Sequence, residues 1–125
     1  NSNPSSLKSA LKNFDTIKVD SSKKHLVLGD MLELGKYSKK LHIEIGKFIN
    51  KTTLKNVNVI GEYVKWAFNN VNKSRRGIIL NKRSQIIDLI KNNLNNNDYL
   101  MIKGSNSTGL NSLTNLIKTG NTHAL

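Results

Sequence analysis

Apolar residues along this chain fall into two alternating patterns. Short, nearly continuous apolar runs occur at residues 26–28, 56–60, 77–80 and 99–103. Such runs are typical of buried β-strands. Before the first run and after each run, apolar residues recur at the three- and four-residue spacing that places them on one face of a helix. The pattern therefore predicts a first helix followed by four strand–helix pairs.

Five amphipathic helices are predicted, and several residues mark their ends. Asn3 is expected to cap the first helix, with Pro4 at its first position. Ser38 and Ser84 are expected to cap the second and fourth helices, and Gly120 to end the last one ahead of a loose tail. The predicted inner faces are, in chain order, Leu7, Ala10, Leu11 and Phe14; Leu41, Ile45, Phe48 and Ile49; Val64, Ala67, Phe68 and Val71; Ile86, Ile87, Ile90 and Leu94; and Leu110, Leu113, Leu116 and Ile117.

The alternation of strands and helices defines the expected fold. Strands that are apolar throughout and separated by helices favour a parallel sheet covered by helices on both faces. The whole chain, residues 1–125, is therefore predicted to form one Rossmann-like α/β domain with at least four strands. The strand order is predicted as 3-2-1-4, one of the few that right-handed crossovers permit. In this order two Gly-flanked polar loops, at 29–35 and 104–109, meet at the switch point where open α/β sheets bind ligands.

The composition bounds the class of protein and raises the question of its partner. The chain carries a net charge of +12 and has a pI near 10.1, which is typical of proteins that bind nucleic acid. Its lysines are scattered, however, and Arg75–Arg76 is the only arginine cluster. We therefore favour a compositional drift of the whole sequence towards Lys, Asn and Ile. The alternatives are a freestanding basic module that binds nucleic acid or another polyanion, and a structural domain without a ligand site.

Several signatures are missing from the sequence. There is no cysteine and no apolar run near the roughly 20 residues of a membrane span, so a cytoplasmic location is the simplest expectation. There is no phosphate loop, dinucleotide-binding glycine pattern or nucleophile elbow, and the three histidines lie far apart without metal-ligand spacing. The chain also begins abruptly at Asn1, without an initiator Met. These absences predict a domain that is not a complete enzyme by itself.

Three stretches resemble the C-terminal domain of the MurF family of peptidoglycan ligases. Residues 28–46, LGDMLELGKYSKKLHIEIG, resemble the family signature LGDMxELGxxSxxxHxxxG. Residues 1–6 resemble the Asn-Ala-Asn-Pro-x-Ser motif at the hinge into that domain, and residues 101–105 resemble its Val-Lys-Gly-Ser strand end. The matches occur in the expected order and span essentially the whole chain.

The resemblance implies a function for the parent protein. Members of this family join D-Ala-D-Ala to UDP-MurNAc-tripeptide in the bacterial cytoplasm, using ATP and Mg²⁺ and passing through an acyl phosphate. They have three domains, which hold the UDP-sugar, the ATP and, in the third, the incoming dipeptide under a closing lid. This chain would be the third domain, with the first two absent and the ATPase domain as its partner. No membrane partner is implied, and nucleic acid is not expected.

The resemblance also implies which residues face the ligands. The implied substrate-binding residues are Asp30, Glu33, His42, Lys103, Ser105 and Asn106, with Asn1 and Asn3 near the nucleotide and no metal or catalytic residue in this domain alone. Asp30 and Glu33 suit an ammonium group, whereas Lys103 and the loop N–H groups after it suit a carboxylate or phosphate. Asn106 stands where family members commonly carry Arg, which removes a cation from the expected carboxylate site.

Each of these assignments has a structural alternative. Asp30 can cap its own loop, His42 can brace that loop, and Asn3 can serve only as a helix cap. Glu33 and Lys103 can be ordinary solvated charges. The sequence leaves these alternatives open.

Overall fold

A computed structural model describes residues 3–105 and the backbone of residues 123–124. The elements are, in chain order, α1 (Pro4–Asp15), β1 (Lys24–Gly29), α2 (Ser38–Ile49), β2 (Val57–Ile60), α3 (Val64–Asn70), β3 (Arg76–Leu80), α4 (Ser84–Asn93), β4 (Tyr99–Lys103) and β5 (His123–Ala124). Single 3₁₀ turns at Ser21–Lys23, Gly35–Tyr37 and Lys73–Arg75 precede β1, α2 and β3. The predicted helix over residues 110–117, with its end at Gly120, lies outside the described residues.

The strands form one parallel sheet in the order β3-β2-β1-β4-β5. The predicted order 3-2-1-4 and the Rossmann-like α/β class are therefore confirmed. The prediction of a loose tail is wrong for His123 and Ala124, which pair with Tyr99 and Leu100 of β4. A short parallel strand can add there because β4 would otherwise be the edge of the sheet.

The core lies in two layers, one on each face of the sheet. Along β1, Leu26 and Leu28 point to one face and Val27 to the other, as the period of a strand requires. The first face packs against α1, α2 and α3 through residues that include Leu11, Ile45 and Ala67. The second face packs against α4 through Ile86 and Leu89, among others. Helices therefore cover both faces, as the apolar strands predict.

The helices leave part of the sheet uncovered at one edge. Ile78 and Ile79 of β3 are 48% and 41% exposed, although an apolar run of this kind predicts a buried strand. The difference arises because β3 is the edge strand of the sheet and, within the described residues, pairs only with β2.

Two of the three predicted helix caps are wrong. Asn3 caps α1 in a reciprocal pair: its Oδ1 accepts from the N–H of Ser6 at 2.9 Å, and its own N–H donates to Ser6 Oγ at 3.2 Å. Ser38 is not a cap, because the 3₁₀ turn before it continues directly into α2. Ser84 makes no capping bond either, and the side chain of Gln85 instead accepts from the N–H of Lys82 at 2.9 Å.

The buried faces of two helices differ in part from the predicted ones. On α2 the side chain of His42 is buried while Leu41 is only half-buried, and on α4 Leu89 is buried while Ile87 is half-buried. Gly46 is also buried on α2, where a Cβ would clash with the carbonyl oxygen of Ala67 in α3. Gly46 therefore lets α2 and α3 approach closely. No helix in the described part of the chain is long and apolar enough to cross a membrane.

Candidate functional site

The two Gly-flanked loops meet at the carboxyl edge of the sheet, as far as the described residues reach. Because β1 pairs with β4, with Leu28 beside Lys103, both strands end at the same place. The N–H of Ser105 donates to the carbonyl oxygen of Asp30 at 3.0 Å, and the N–H of Leu32 donates to Ser105 Oγ at 2.7 Å. These bonds tie the loop after β1 to the end of β4.

The carboxylate of Asp30 caps a neighbouring element. One oxygen accepts from the N–H of Val64 at 2.8 Å and the other from the N–H of Glu62 at 3.2 Å. Gly61 makes room for this contact, since a Cβ there would lie 2.5 Å from Asp30 Oδ1 and its φ of +134° is one that side chains rarely adopt. Asp30 thus has a capping role, but on the loop between β2 and α3 and not on its own loop.

The ring of His42 supports the loop after β1 by a hydrogen bond. It is 1% exposed, and its Nε2 accepts from the N–H of Met31 at 3.1 Å. Its Nδ1 lies 2.7 Å from the carbonyl oxygen of Ser38, one turn earlier in α2. The neutral ring therefore carries its proton on Nδ1, because Nε2 must be the acceptor. Its predicted contact with a substrate stays a prediction, as do those of Asp30 and Ser105.

Two predicted site residues carry charges without a partner in the described part of the chain. Glu33 is exposed and makes no hydrogen bond or ion pair within residues 3–105. Its φ of 64° lies in the left-handed region, which costs a residue with a side chain about 1 kcal/mol. Lys103 is half-buried at the end of β4 and has no ion pair within the same residues. Among the predicted site residues, Glu33 and Lys103 are therefore the ones whose charges are available to a ligand.

A cleft of about 280 Å³ lies between the loop after β1 and the start of α3. Its wall carries polar and aromatic side chains, which are those of Glu33, Lys36, Lys39, Tyr63 and Trp66. The rings of Tyr63 and Trp66 stack with their centroids 5.8 Å apart, and Lys39 Nζ lies 6.0 Å from the centroid of Trp66. Of these residues, only Glu33 was predicted from the sequence. The sequence does contain one indication of them: Lys36 and Lys39 are three residues apart, and so are Tyr63 and Trp66. This spacing places two side chains next to each other on a helix.

The remaining predictions concern the nucleotide, metals and nucleic acid. Asn3 is used as a helix cap, and Asn1 and Asn106 lie outside the described residues. No three His, Cys, Asp or Glu side chains cluster as metal ligands among the described residues.

Both arginines of the predicted cluster donate hydrogen bonds to main-chain carbonyl oxygens. Arg75 Nη1 donates to the carbonyl oxygen of Leu54 at 2.6 Å. Arg76 likewise donates to carbonyl oxygens at the end of α3.

The architecture defines a Rossmann-like α/β domain that presents a braced loop and a charged, aromatic cleft at the carboxyl edge of its sheet. A family model described as "Mur ligase, glutamate ligase domain" matches residues 1–106. The chain belongs to the Mur ligase family and corresponds to the C-terminal domain of such ligases.

A curated relative gives a more specific comparison. The chain is 30% identical over 111 residues to the UDP-N-acetylmuramoyl-tripeptide–D-alanyl-D-alanine ligase of Rickettsia prowazekii (strain Madrid E). The match covers 88% of this chain and 24% of that protein. The chain thus spans about a quarter of the length of the relative.

Proposed function

We propose that this chain is the C-terminal, substrate-binding domain of an ATP-dependent ligase that adds D-Ala-D-Ala to UDP-MurNAc-tripeptide in the bacterial cytoplasm. The observation that carries the proposal is the braced loop after β1, which presents beside a cleft the carboxylate of Glu33, a group with no ion pair within residues 3–105. Membership of the Mur ligase family and the activity named for the Rickettsia relative support it. The product would be a precursor of peptidoglycan.

In this proposal the domain contributes positioning. Joining an amine to an activated carboxyl group depends mainly on holding the two reactants in the correct geometry. Asp30, His42 and Ser105 each bond to main-chain groups of other segments, so the loop is fixed before a ligand arrives. A fixed loop loses less conformational entropy on binding than a mobile one. Glu33 and Lys103 then supply the charges that meet the ligands, with Asn106 and the hinge residue Asn1 completing the predicted set.

The proposed reaction needs ATP and Mg²⁺, and the residues described here do not fit either group. The sequence has no phosphate loop, and the described residues bring together no set of three metal-ligating side chains. We therefore assign both groups to the ATPase domain of the same protein.

The polyanion-binding alternative is supported less well. Arg75 and Arg76 are its most specific feature, and their guanidinium groups are occupied by carbonyl oxygens near the ends of α2 and α3. A phosphate would have to displace these bonds. Scattered surface lysines remain, and they give only weak, salt-dependent attraction.

The experiment that tests the proposal uses the complete protein that contains this chain. We expect mass spectrometry to detect UDP-MurNAc-pentapeptide when UDP-MurNAc-tripeptide, D-Ala-D-Ala and ATP are all supplied. Omitting any one of the three should abolish the product. A complete protein without a phosphate-loop domain, or one that forms no pentapeptide product, would contradict the proposal.

A further inference from the structure

We propose that the outer edge of β3 and the groove between β3 and α4, hereafter the β3 groove, bind an extended acidic segment of another protein. The β3 groove is lined by side chains that include those of Ile78, Leu89 and Asn93. It shares no residue with the cleft beside the loop after β1. The inference therefore goes beyond the proposed function and does not depend on it.

β3 offers main-chain groups to an added strand. It stands at the end of the order β3-β2-β1-β4-β5 and, among the described residues, pairs only with β2. The N–H of Ile78 donates to Oδ1 of Asn58 in β2 at 2.9 Å, which fastens the inner side of the strand to the sheet. On its outer side an edge strand carries a row of N–H and C=O groups that can bond another chain. Addition of a strand to such an edge is a common mode of peptide recognition.

Apolar side chains stand on both faces of this edge. Ile78 and Ile79 are consecutive residues of the strand, so their side chains point to opposite faces of the sheet. They are the only aliphatic residues among the large hydrophobic side chains that are exposed in the described part of the chain. A strand added beside β3 would shield both from water, and burial of apolar surface stabilises such a complex.

The groove on the α4 side has room for a side chain of the added strand. The cavity there has a volume of about 270 Å³, with Ile78 and Leu89 as apolar walls. Asn93 and the ring of His25 supply polar groups, and His25 is held by Asp98, whose Oδ2 lies 3.0 Å from Nε2 of the ring. Pockets for complete small ligands usually exceed about 300 Å³, so this one suits a single side chain. In strand addition, alternate side chains enter such pockets and give specificity.

The charges around β3 indicate the chemistry of the partner. Residues 73–83 contain five cationic side chains and no carboxylate; the cations are Lys73, Arg75, Arg76, Lys82 and Arg83. Lys73 and Lys82 are exposed and form no ion pair with the described residues. The cations lie at the two ends of β3, with its apolar residues between them. A segment with acidic ends and apolar residues at its centre is complementary to this arrangement.

The same charges disfavour a second copy of the chain as the partner. Two copies joined at β3 by a twofold axis would pair antiparallel, with residues 82–83 of each copy beside residues 73–76 of the other. All charges brought together in this way are positive, and like charges placed opposite each other destabilise strand pairing. The net charge of +12 on each copy adds to the repulsion. An acidic partner meets none of this repulsion.

Fluorescence anisotropy of a labelled peptide tests the inference with the 125-residue chain. The probe is Glu-Asp-Val-Thr-Val-Thr-Val-Asp-Glu with blocked ends. Because it presents the same side chains in either direction, it suits both parallel and antiparallel pairing. We expect a dissociation constant on the order of 10–100 µM. Proline in place of the central valine removes an N–H and interrupts strand pairing, so this peptide should bind at least about fivefold more weakly.

Variants of the chain separate the apolar from the charged contribution. Ile78→Thr reduces the apolar wall at an exposed position and should weaken binding about three- to tenfold. Lys73→Glu/Lys82→Glu should weaken binding of the acidic probe by about fivefold or more and produce binding of Lys-Lys-Val-Thr-Val-Thr-Val-Lys-Lys. The matched control, Lys12→Glu/Lys47→Glu, makes the same charge change at exposed positions of α1 and α2 and should alter affinity by less than about twofold. Unchanged circular dichroism spectra verify that each variant is folded.

Several results would overturn the inference. They include no anisotropy change with the acidic probe, equal binding of the proline peptide, and equal effects of the two pairs of lysine substitutions. Self-association of the chain that Ile78→Thr abolishes, without peptide binding, would assign β3 to a second copy. Binding of single-stranded DNA in place of the peptide, sensitive to Lys73→Glu/Lys82→Glu, would assign it to a nucleic acid. Peptide binding by this chain but not by the complete protein that contains it would assign the β3 groove to another part of that protein.

Discussion

The main-chain N–H of Met31 donates to Nε2 of His42 at 3.1 Å, and this bond holds the loop after β1 against the first turn of α2. The other ring nitrogen lies 2.7 Å from the carbonyl oxygen of Ser38, so His42 joins two segments through one buried ring. The cleft between this loop and the start of α3 depends on this connection, because Met31 lines the cleft and is 1% exposed, so water cannot replace the bond to its N–H.

Replacing His42 with Ala should therefore destabilise the domain. The variant leaves the N–H of Met31 without an acceptor, which costs about 1–3 kcal/mol of unfolding free energy. His42→Gln keeps an acceptor oxygen on the side chain and should lose less. Urea denaturation monitored by circular dichroism measures both values. Equal stability of His42→Ala and the unchanged chain would contradict the brace, as would ¹⁵N shifts that place the ring proton on Nε2.

Replacing Asn58 should destabilise the domain as much as replacing His42, because the side-chain amide of Asn58 connects three strands. Its Nδ2 donates to the carbonyl oxygen of Leu26 in β1 at 2.9 Å, and its Oδ1 accepts from the N–H of Ile78 in β3 at 2.9 Å. The residue is 3% exposed and lies where the register between β2 and β3 shifts. Asn58→Leu should lower the unfolding free energy by about 2–3 kcal/mol, since it leaves buried main-chain groups unpaired.

The matched control for this variant is Asn69→Leu, at an exposed position of α3. It should change the unfolding free energy by less than about 0.5 kcal/mol. Comparable losses for the two variants, measured by the same urea denaturation, would show that the amide of Asn58 has no special role.

The strand order could be predicted from the sequence because apolar runs separated by helices favour a parallel sheet and right-handed crossovers permit few orders of its strands. The apolar runs alone do not define it: Leu26–Leu28 lies in the buried, central β1, whereas the equally apolar Ile78 and Ile79 lie exposed in β3 at the edge. The helix caps could not be predicted in the same way. Ser38 and Ser84 are favourable cap residues, but whether a 3₁₀ turn continues into the helix depends on tertiary packing.

The candidate site was predictable only for the residues that its motif contains, and for these the roles were not predictable. A motif singles out Asp30 and His42, but the partner that decides the role of Asp30 is the N–H of Val64, 34 residues away. Tyr63 and Trp66 belong to no motif and reach the loop only because α3 packs beside α2. Contacts between distant segments of this kind leave no local pattern in a sequence.

Asp20 offers a prediction about pH. Hydrogen bonds from the side chain and the N–H of Ser22 hold the pKa of the Asp20 carboxyl below its usual value. A carboxyl whose pKa is lower in the folded chain than in the unfolded chain stabilises the fold above the unfolded-state pKa. That contribution is lost as the pH falls through the folded-state pKa.

An NMR titration of the Asp20 side chain measures this effect directly. The midpoint should lie lower in the native chain than in the same chain in concentrated urea. Ser22→Ala removes the side-chain bond and keeps the N–H, so it should raise the native midpoint only partway. Identical midpoints in the native and unfolded chains would refute the role of Ser22.

Asp30 provides the test that separates a scaffold from a ligand contact. Its carboxylate accepts two main-chain N–H groups at the start of α3, so Asp30→Ala should cost about 1–2 kcal/mol of unfolding free energy, as for other lost caps. Asp30→Asn keeps one acceptor oxygen for the N–H of Val64 and should lose roughly half as much.

If Asp30 acts by holding the loop, dipeptide affinity should fall in the same order as stability. If instead its charge meets the ammonium group, Asp30→Asn should bind the dipeptide as weakly as Asp30→Ala despite its greater stability. Titration of the two variants with D-Ala-D-Ala and their urea denaturation distinguish these outcomes. Because the carboxylate of Asp30 accepts two main-chain bonds, we expect dipeptide affinity to follow stability.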